Sequence, residues 1–251
     1  LARMPLGDEY LPLRKIGHLS PLPVIDNSPY EFYKLAPERV MMVSVPVGLS
    51  EFSAADVERV FEPIEALTRS LVERGVDVVI QGGVPLPLLI GQQALARVLE
   101  RIERAGNTPA TSTVLCVVEA ARGLGLQRVA VANKWSEAMN ATLAGFFAAG
   151  GIEVVGSSAR AMAPAEFQKM RSVDGIELAY ALGKAALEAH PEADGLYIGG
   201  GAWLVMPATL RLEEEFGKPV INNQTSVIWD VCRKLDCWQP RPGLSRLMAT
   251  A

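Results

Sequence analysis

Histidine and cysteine are scarce in this chain, and basic residues are not in excess. The 251 residues hold two histidines, His18 and His190, and three cysteines, Cys116, Cys232 and Cys237. The cysteines are odd in number and unclustered, with no C-x-x-C pair, which argues against a disulfide framework and against a zinc site. Free thiols of this kind fit a reducing, cytoplasmic setting. Lysine and arginine total 24 against 28 acidic residues, for a net charge of −4. A nucleic-acid surface usually needs a basic patch, so no nucleic-acid partner is expected. No run approaches the roughly 18 apolar residues of a membrane span, so no membrane association is expected. The segment "LARMPLGDEYLPLRK" carries Asp8 and Glu9 and has no apolar stretch, so it does not read as a signal peptide.

What is present is ordinary globular composition, 49% hydrophobic and 21% charged. Short apolar runs alternate with longer helical patterns, as in a parallel sheet covered by helices. Strands are expected at 15–20, 39–47, 76–83, 128–133, 152–157, 193–201 and 218–223. Helices are expected at 53–75, with Pro63 as a kink, and at 88–106, 136–151, 175–190, 207–217 and 226–236. The stretch "TSTVLCVVEAARGLG" (111–125) reads as one more helix, capped by Thr111 or Ser112. His190, before Pro191, reads as a residue at a helix C-terminus.

One pattern occurs twice. Asp77 is followed at the fifth and sixth positions by Gly82 and Gly83, and Asp194 by Gly199 and Gly200. Each is an apolar strand between an acid and a glycine pair, and each follows an opening strand, "KIGHLS" or "RVAVAN". The expected architecture is α/β: two tandem, pseudo-symmetric lobes, each a parallel sheet flanked by helices. The lobes span 15–110 and 111–225, and a C-terminal helix and tail, 226–251, pack back on the first. Ligands of parallel sheets bind beyond the carboxyl ends of the strands. Facing lobes would bring Ser20, Gly83, Asn133 and Gly200 to one cleft.

The collinear segments "KIGHLSPLP", "GGVPLPLLIG", "TSTVLCVVEAARGLGLQRVAVANKW", "DGLYIGGG", "GKPVINNQTSVIWDVCR" and "RPGLSRL" resemble the arylmalonate decarboxylase and maleate isomerase branch of the aspartate/glutamate racemase superfamily. The resemblance implies cofactor-free chemistry on a small carboxylate, with a thiol at the strand end of one or both lobes. The first-lobe thiol position falls on Gly83, as the decarboxylase branch allows, and the second on Gly200. The usual threonine and serine after the first are Val84 and Pro85, and an aromatic hydroxyl after the fourth strand is replaced by Trp135. None of the three cysteines lies at a strand end.

With the thiols gone, other groups come forward. The glycine pairs read either as backbone anion sites or as tight turns. His18 is either a proton-transfer group or a buried, structurally bonded ring. Lys134 either holds a carboxylate or acts as a desolvated base, or is a solvated loop residue. The amides of Asn222, Asn223 and Gln224 could bind a carboxylate, while Thr225 could cap a helix starting at Ser226. Gln81 faces the cleft or the sheet. Trp203, Met206, Leu86, Leu88 and Leu89 would form an apolar wall.

The expected catalytic residues are His18 and Lys134. The expected substrate contacts are Ser20, Pro21, Gly83, Val84, Asn133, Trp135, Gly200, Gly201 and Asn222. The expected function is a cofactor-independent enzyme, decarboxylase- or isomerase-like, that holds an oxyanion or enolate of a small carboxylate or carbonyl compound on backbone N–H groups. A hydrolase using water in the same site and a non-catalytic carboxylate-binding protein are the alternatives, and a homo-oligomer is compatible with either. Grafting cysteine at Gly200, with or without Gly83, is expected to create some family activity.

Overall fold

A computed structural model describes residues 10–24, 27–200 and 203–251. Two four-stranded, wholly parallel sheets form the core. The first contains β1 (Arg14–Ser20), β2 (Val40–Pro46), β3 (Val78–Gln81) and β4 (Ala110–Ser112), in the order β2-β1-β3-β4. The second contains β5 (Arg128–Asn133), β6 (Glu153–Ala159), β7 (Gly195–Ile198) and β8 (Val220–Asn222), in the order β6-β5-β7-β8. The strand orders are identical, so the sheets are two copies of one plan.

The repeated acid explains why the pattern recurs in sequence. Asp77 accepts from the Lys15 N–H at 2.7 Å, and Asp194 accepts from the Arg128 N–H at 2.8 Å. Each carboxylate thus satisfies a donor at the start of its sheet's opening strand. At the other end the Gly82 N–H donates to the Leu19 carbonyl, and the Gly199 N–H to the Ala132 carbonyl. Acid and glycine clamp the two ends of the same central strand pair.

The helices are α1 (Asn27–Leu35), α2 (Ala54–Phe61), α3 (Ile64–Val72), α4 (Pro85–Gly106), α5 (Thr113–Gly123), α6 (Glu137–Ala149), α7 (Pro164–Phe167), α8 (Ser172–Ala189), α9 (Met206–Phe216) and α10 (Asn223–Lys234). The expected 53–75 helix is two helices parted at Pro63, whose ring cannot continue the hydrogen-bond ladder. The expected 111–125 helix is corrected at its start. Ala110–Ser112 pairs with Val79–Gln81 as a fourth strand, and the Ser112 hydroxyl donates to Gln81 Oε1 at 2.8 Å instead of capping α5. The last helix also begins earlier than expected. Asn222 is its N-cap, with Thr225 as the reciprocal partner of a capping box.

Two helices cross between the sheets. Helix α5 leaves the first sheet, yet Val114, Val117 and Val118 pack with Val129, Val131, Tyr197 and Ile221 of the second. Helix α10 leaves the second sheet, yet Val227, Ile228 and Val231 pack with Ile16, Val78 and Ile80 of the first. The crossing helices also pack on each other.

A carboxylate adds a further tie. Glu31 of α1 is buried and accepts from the N–H groups of Val205 and Met206 at the start of α9. Burial outweighs those donors and raises its pKa from 4.5 to about 7. The folded state therefore favours protonated Glu31, and that contribution is lost as pH rises from 4.5 through about 7. Glu31→Gln keeps an accepting oxygen without the charge. Between pH 5 and pH 8 it should gain about 2–3 kcal/mol relative to the parent chain in urea unfolding. A pH-independent difference would contradict this.

Candidate active site

The carboxyl ends of both sheets open on one cavity of ≈ 70 Å³. At roughly 10–15 Å³ for each water-sized occupant, it suits a small organic acid and not a nucleotide. Of the expected site residues, His18, Ser20, Pro21, Gly83, Lys134, Trp135 and Gly200 all line it. Gly201 lies outside the described residues.

Three expectations are corrected. Val84 is the N-cap of α4 and is fully buried in the core with Leu88 and Val114. Asn133 turns away from the cavity, accepting from the Trp135 N–H at 2.9 Å and donating to Asn140 at 2.6 Å. Asn222 is spent on its cap and on Thr209 Oγ1 at 3.2 Å. Each polar side chain is buried with nearby structural partners, so none is available to a ligand. The neighbour of Asn222 is the one that reaches the cavity: Asn223 Oδ1 accepts from the Tyr197 hydroxyl at 2.6 Å, which leaves its Nδ2 as the donor end.

The sequence reading missed Thr113 and Phe167, both of which line the cavity. Thr113 falls inside the expected 111–125 helix but is the first residue of α5. Its hydroxyl accepts the Gly83 N–H at 3.1 Å, so its own hydrogen is left to donate. Phe167 comes from α7, a single turn with no sequence periodicity of its own.

The glycine loops offer fewer free donors than their composition suggests. The N–H groups of Gly82, Gly83 and Gly199 are bonded to Leu19, Thr113 and Ala132. The helix ends take over part of that role. Thr113 and Asn223 open α5 and α10 and both line the cavity, so the positive ends of two helix dipoles meet there, while the first turn of α4, cut off from the rest of that helix at Gly91, brings Pro85 without an N–H.

His18 is buried, and desolvation lowers its pKa from 6.5 to about 4. The Ser44 hydroxyl donates to the His18 carbonyl, so the ring Nδ1–H donates to Ser44 Oγ at 3.1 Å. Nε2 is then a bare acceptor in a neutral ring.

Lys134 is the unusual group. It is 2% exposed, and its Nζ has no hydrogen-bond partner among the described residues. The nitrogen lies 3.9 Å from the Trp203 ring centre and 4.8 Å from that of Phe167. Burial pulls its pKa from 10.5 to about 7. No aspartate or glutamate is found among the described lining residues. An orphaned amine beside two helix N-termini, with no carboxylate among the described lining residues, is chemistry complementary to an organic anion.

Two interlocked parallel sheets with the site at their facing carboxyl ends define the architecture of the aspartate/glutamate racemase superfamily. The arylmalonate decarboxylase family model matches residues 16–248, and the chain belongs to that family. It is 28% identical over 233 residues to an arylmalonate decarboxylase from Bordetella bronchiseptica, covering 92% of this chain and 95% of that one. An unliganded arylmalonate decarboxylase structure superposes with a TM-score of 0.78 at 26% identity, covering 95% of this chain and 100% of that one. A maleate isomerase from Pseudomonas putida, solved with maleate, shares the fold with a TM-score of 0.81 at 18% identity, covering 95% and 98%. The chain is thereby an enzyme of the lyase and isomerase type.

The cysteine graft meets a physical obstacle. Gly200 has φ +125°, and a Cβ there would lie 2.8 Å from Trp203 Nε1. Gly83 has φ +77°, with a Cβ 2.5 Å from Pro21 Cγ. Gly83→Cys and Gly200→Cys should each lower stability by about 1–3 kcal/mol by strain, measurable as a fall in Tm. An unchanged Tm would contradict the backbone described here. Lys134→Met should do the reverse. Below pH 10.5 an unfolded lysine is protonated, whereas the native amine resists protonation down to about 7. Native stability therefore falls as pH drops through that window, by about 1.4 kcal/mol per pH unit. Calorimetry should find the Lys134→Met variant the more stable at pH 7, with the gap narrowing towards pH 10.

Proposed function

We propose that this enzyme decarboxylates or isomerises a small carboxylic acid through an enolate-like anion, without a cofactor, and that Lys134 is the group acting on it. One observation carries the reading: the Lys134 nitrogen is buried at the cavity without a counter-ion or hydrogen-bond partner among the described residues. A substrate carboxylate would supply that missing partner. The reaction named by the family relatives is the loss of one carboxyl group from a malonate-type acid, and the geometry suits it.

The retained carboxylate would sit among the first residues of α5 and α10, with the Ser20 and Thr113 hydroxyls and the Asn223 amide as donors. Helix ends contribute about 0.3–1 kcal/mol each to holding an anion. The departing carboxylate would face Trp135, Phe167 and Val227, a wall that favours neutral carbon dioxide over a charged group. When the carbon–carbon bond breaks, its electron pair spreads onto the retained carboxylate. Lys134, with a pKa of about 7, can neutralise that charge and return a proton to carbon. Neutral His18 can accept a hydrogen bond at Nε2 and orient the acid form of the substrate.

The test is turnover of a panel of small malonates and maleate, followed by carbon dioxide release and by isomer analysis. The parent chain should turn over at least one member, and Lys134→Met should lower kcat/KM about 10²–10⁴-fold with the fold intact. Full activity in the variant would misplace the site. Binding of these acids without turnover would favour a carboxylate-binding protein instead.

A further inference from the structure

We infer that Lys134 is also a nucleophile that forms an imine with a carbonyl carbon, and that the cavity takes small 3-oxo acids as substrates. The inference rests on the reading of the cavity given above, and it names a substrate class for the same site. An amine attacks carbon only if it is unprotonated, unpaired and able to reach a bound ligand. Lys34 and Lys169 are exposed and away from the cavity, and the remaining lysines fail on pairing. Lys184 and Lys234 are held by Glu215 and Asp230, and Lys15 and Lys218 donate to the carbonyls of Arg74 and Pro191. Lys134 lines the cavity, its Nζ has no hydrogen-bond partner among the described residues, and burial lowers its pKa to about 7; the nitrogen lies covered by the Trp203 and Phe167 rings, so attack requires the side chain to turn into the cavity.

The surroundings also suit the product of attack. An iminium nitrogen carries a positive charge that, unlike an ammonium, drives the breaking of an adjacent carbon–carbon bond. The faces of Trp203 and Phe167, 3.9 and 4.8 Å from Nζ, would stabilise that charge without competing as acids or bases. A carboxylate side chain would quench it, and none lines the cavity among the described residues.

The steps balance. The Lys134 lone pair forms a bond to the ketone carbon, the C=O π pair moves to oxygen, and a proton passes from nitrogen to that oxygen. Protonation of the hydroxyl lets water leave as the C=N⁺ bond forms, with Ser20 and Thr113 placed to relay protons. The bond to the 3-oxo acid's carboxylate then breaks, and its pair flows to nitrogen, giving an enamine and carbon dioxide. Water returns a proton to carbon and hydrolyses the resulting iminium, releasing the ketone and the free amine.

Borohydride trapping tests this. The full-length protein is incubated with acetoacetate or oxaloacetate, reduced, and analysed by intact mass and peptide mapping. The expected result is one adduct, confined to Lys134, heavier by the bound carbonyl compound less one oxygen atom. It should be absent from Lys134→Met and Lys134→Arg. Lys134→Arg retains a cation but cannot form the imine, so it should lose at least 100-fold of the 3-oxo acid turnover. No adduct, an adduct spread over surface lysines, or full 3-oxo acid turnover in Lys134→Arg would overturn the inference. Turnover of malonates without any adduct would overturn this inference alone. Failure on malonates and 3-oxo acids together would overturn the functional reading as well.

Discussion

Each sheet is finished by a helix that the other sheet's strand supplies. Because α5 packs on the second sheet and α10 on the first, neither half can bury its own apolar face alone. Burial at about 25 cal/mol per Å² makes this exchange a main source of the lobes' mutual attachment. It also fixes where the site lies. The two crossing helices start at Thr113 and Asn223, directly after β4 and β8, so the crossing that closes the core aims both N-termini at one cavity. The sheet clamps Asp77 and Asp194 hold the opposite ends of the strands and leave the carboxyl ends to the glycine loops.

Against that frame of favourable burial stands one group that opposes folding. Lys134, without a hydrogen-bond partner among the described residues, loses its hydration beneath Trp203 and Phe167 and gains from them the weak attraction of two ring faces. A methionine would fill the same space at lower cost. Such a residue is expected where a ligand completes it, and stability is commonly sacrificed at sites of this kind. The glycines fit the same picture. Gly200 and Gly83 adopt backbone conformations and close contacts that would strain a side chain, so a thiol at either position would require its neighbours to shift. On the proposed reading, the acting group lies in the loop after β5 and not on a strand-end side chain.

Much of this was legible in the sequence, and the misses have physical causes. The repeated acid-to-glycine spacing identified both lobes because it encodes a hydrogen bond at each end of a strand. His18, Ser20, Gly83, Lys134 and Gly200 line one cavity, since strand ends of a parallel sheet converge. Val84, Asn133 and Asn222 were not distinguishable from them. Whether a residue at a strand end faces the cavity or a neighbouring helix depends on partners such as Asn140 and Thr209, which come from other elements. Strand β4 was hidden because its three residues run straight into a helix. The burial of Lys134 was equally hidden. It is made by Phe167 and Trp203, 33 and 69 positions further along the chain, and no local pattern announces them.

The central claim is that Lys134 is an ionisable group held ready for an anion. Nitrogen NMR of lysine side chains, assigned by comparison with the Lys134→Met variant, tests it most directly. The Lys134 signal should titrate near pH 7 in the free protein and move upward when methylmalonate is added, because a bound carboxylate favours the ammonium. A midpoint at the ordinary lysine value, unmoved by the acid, would contradict the account.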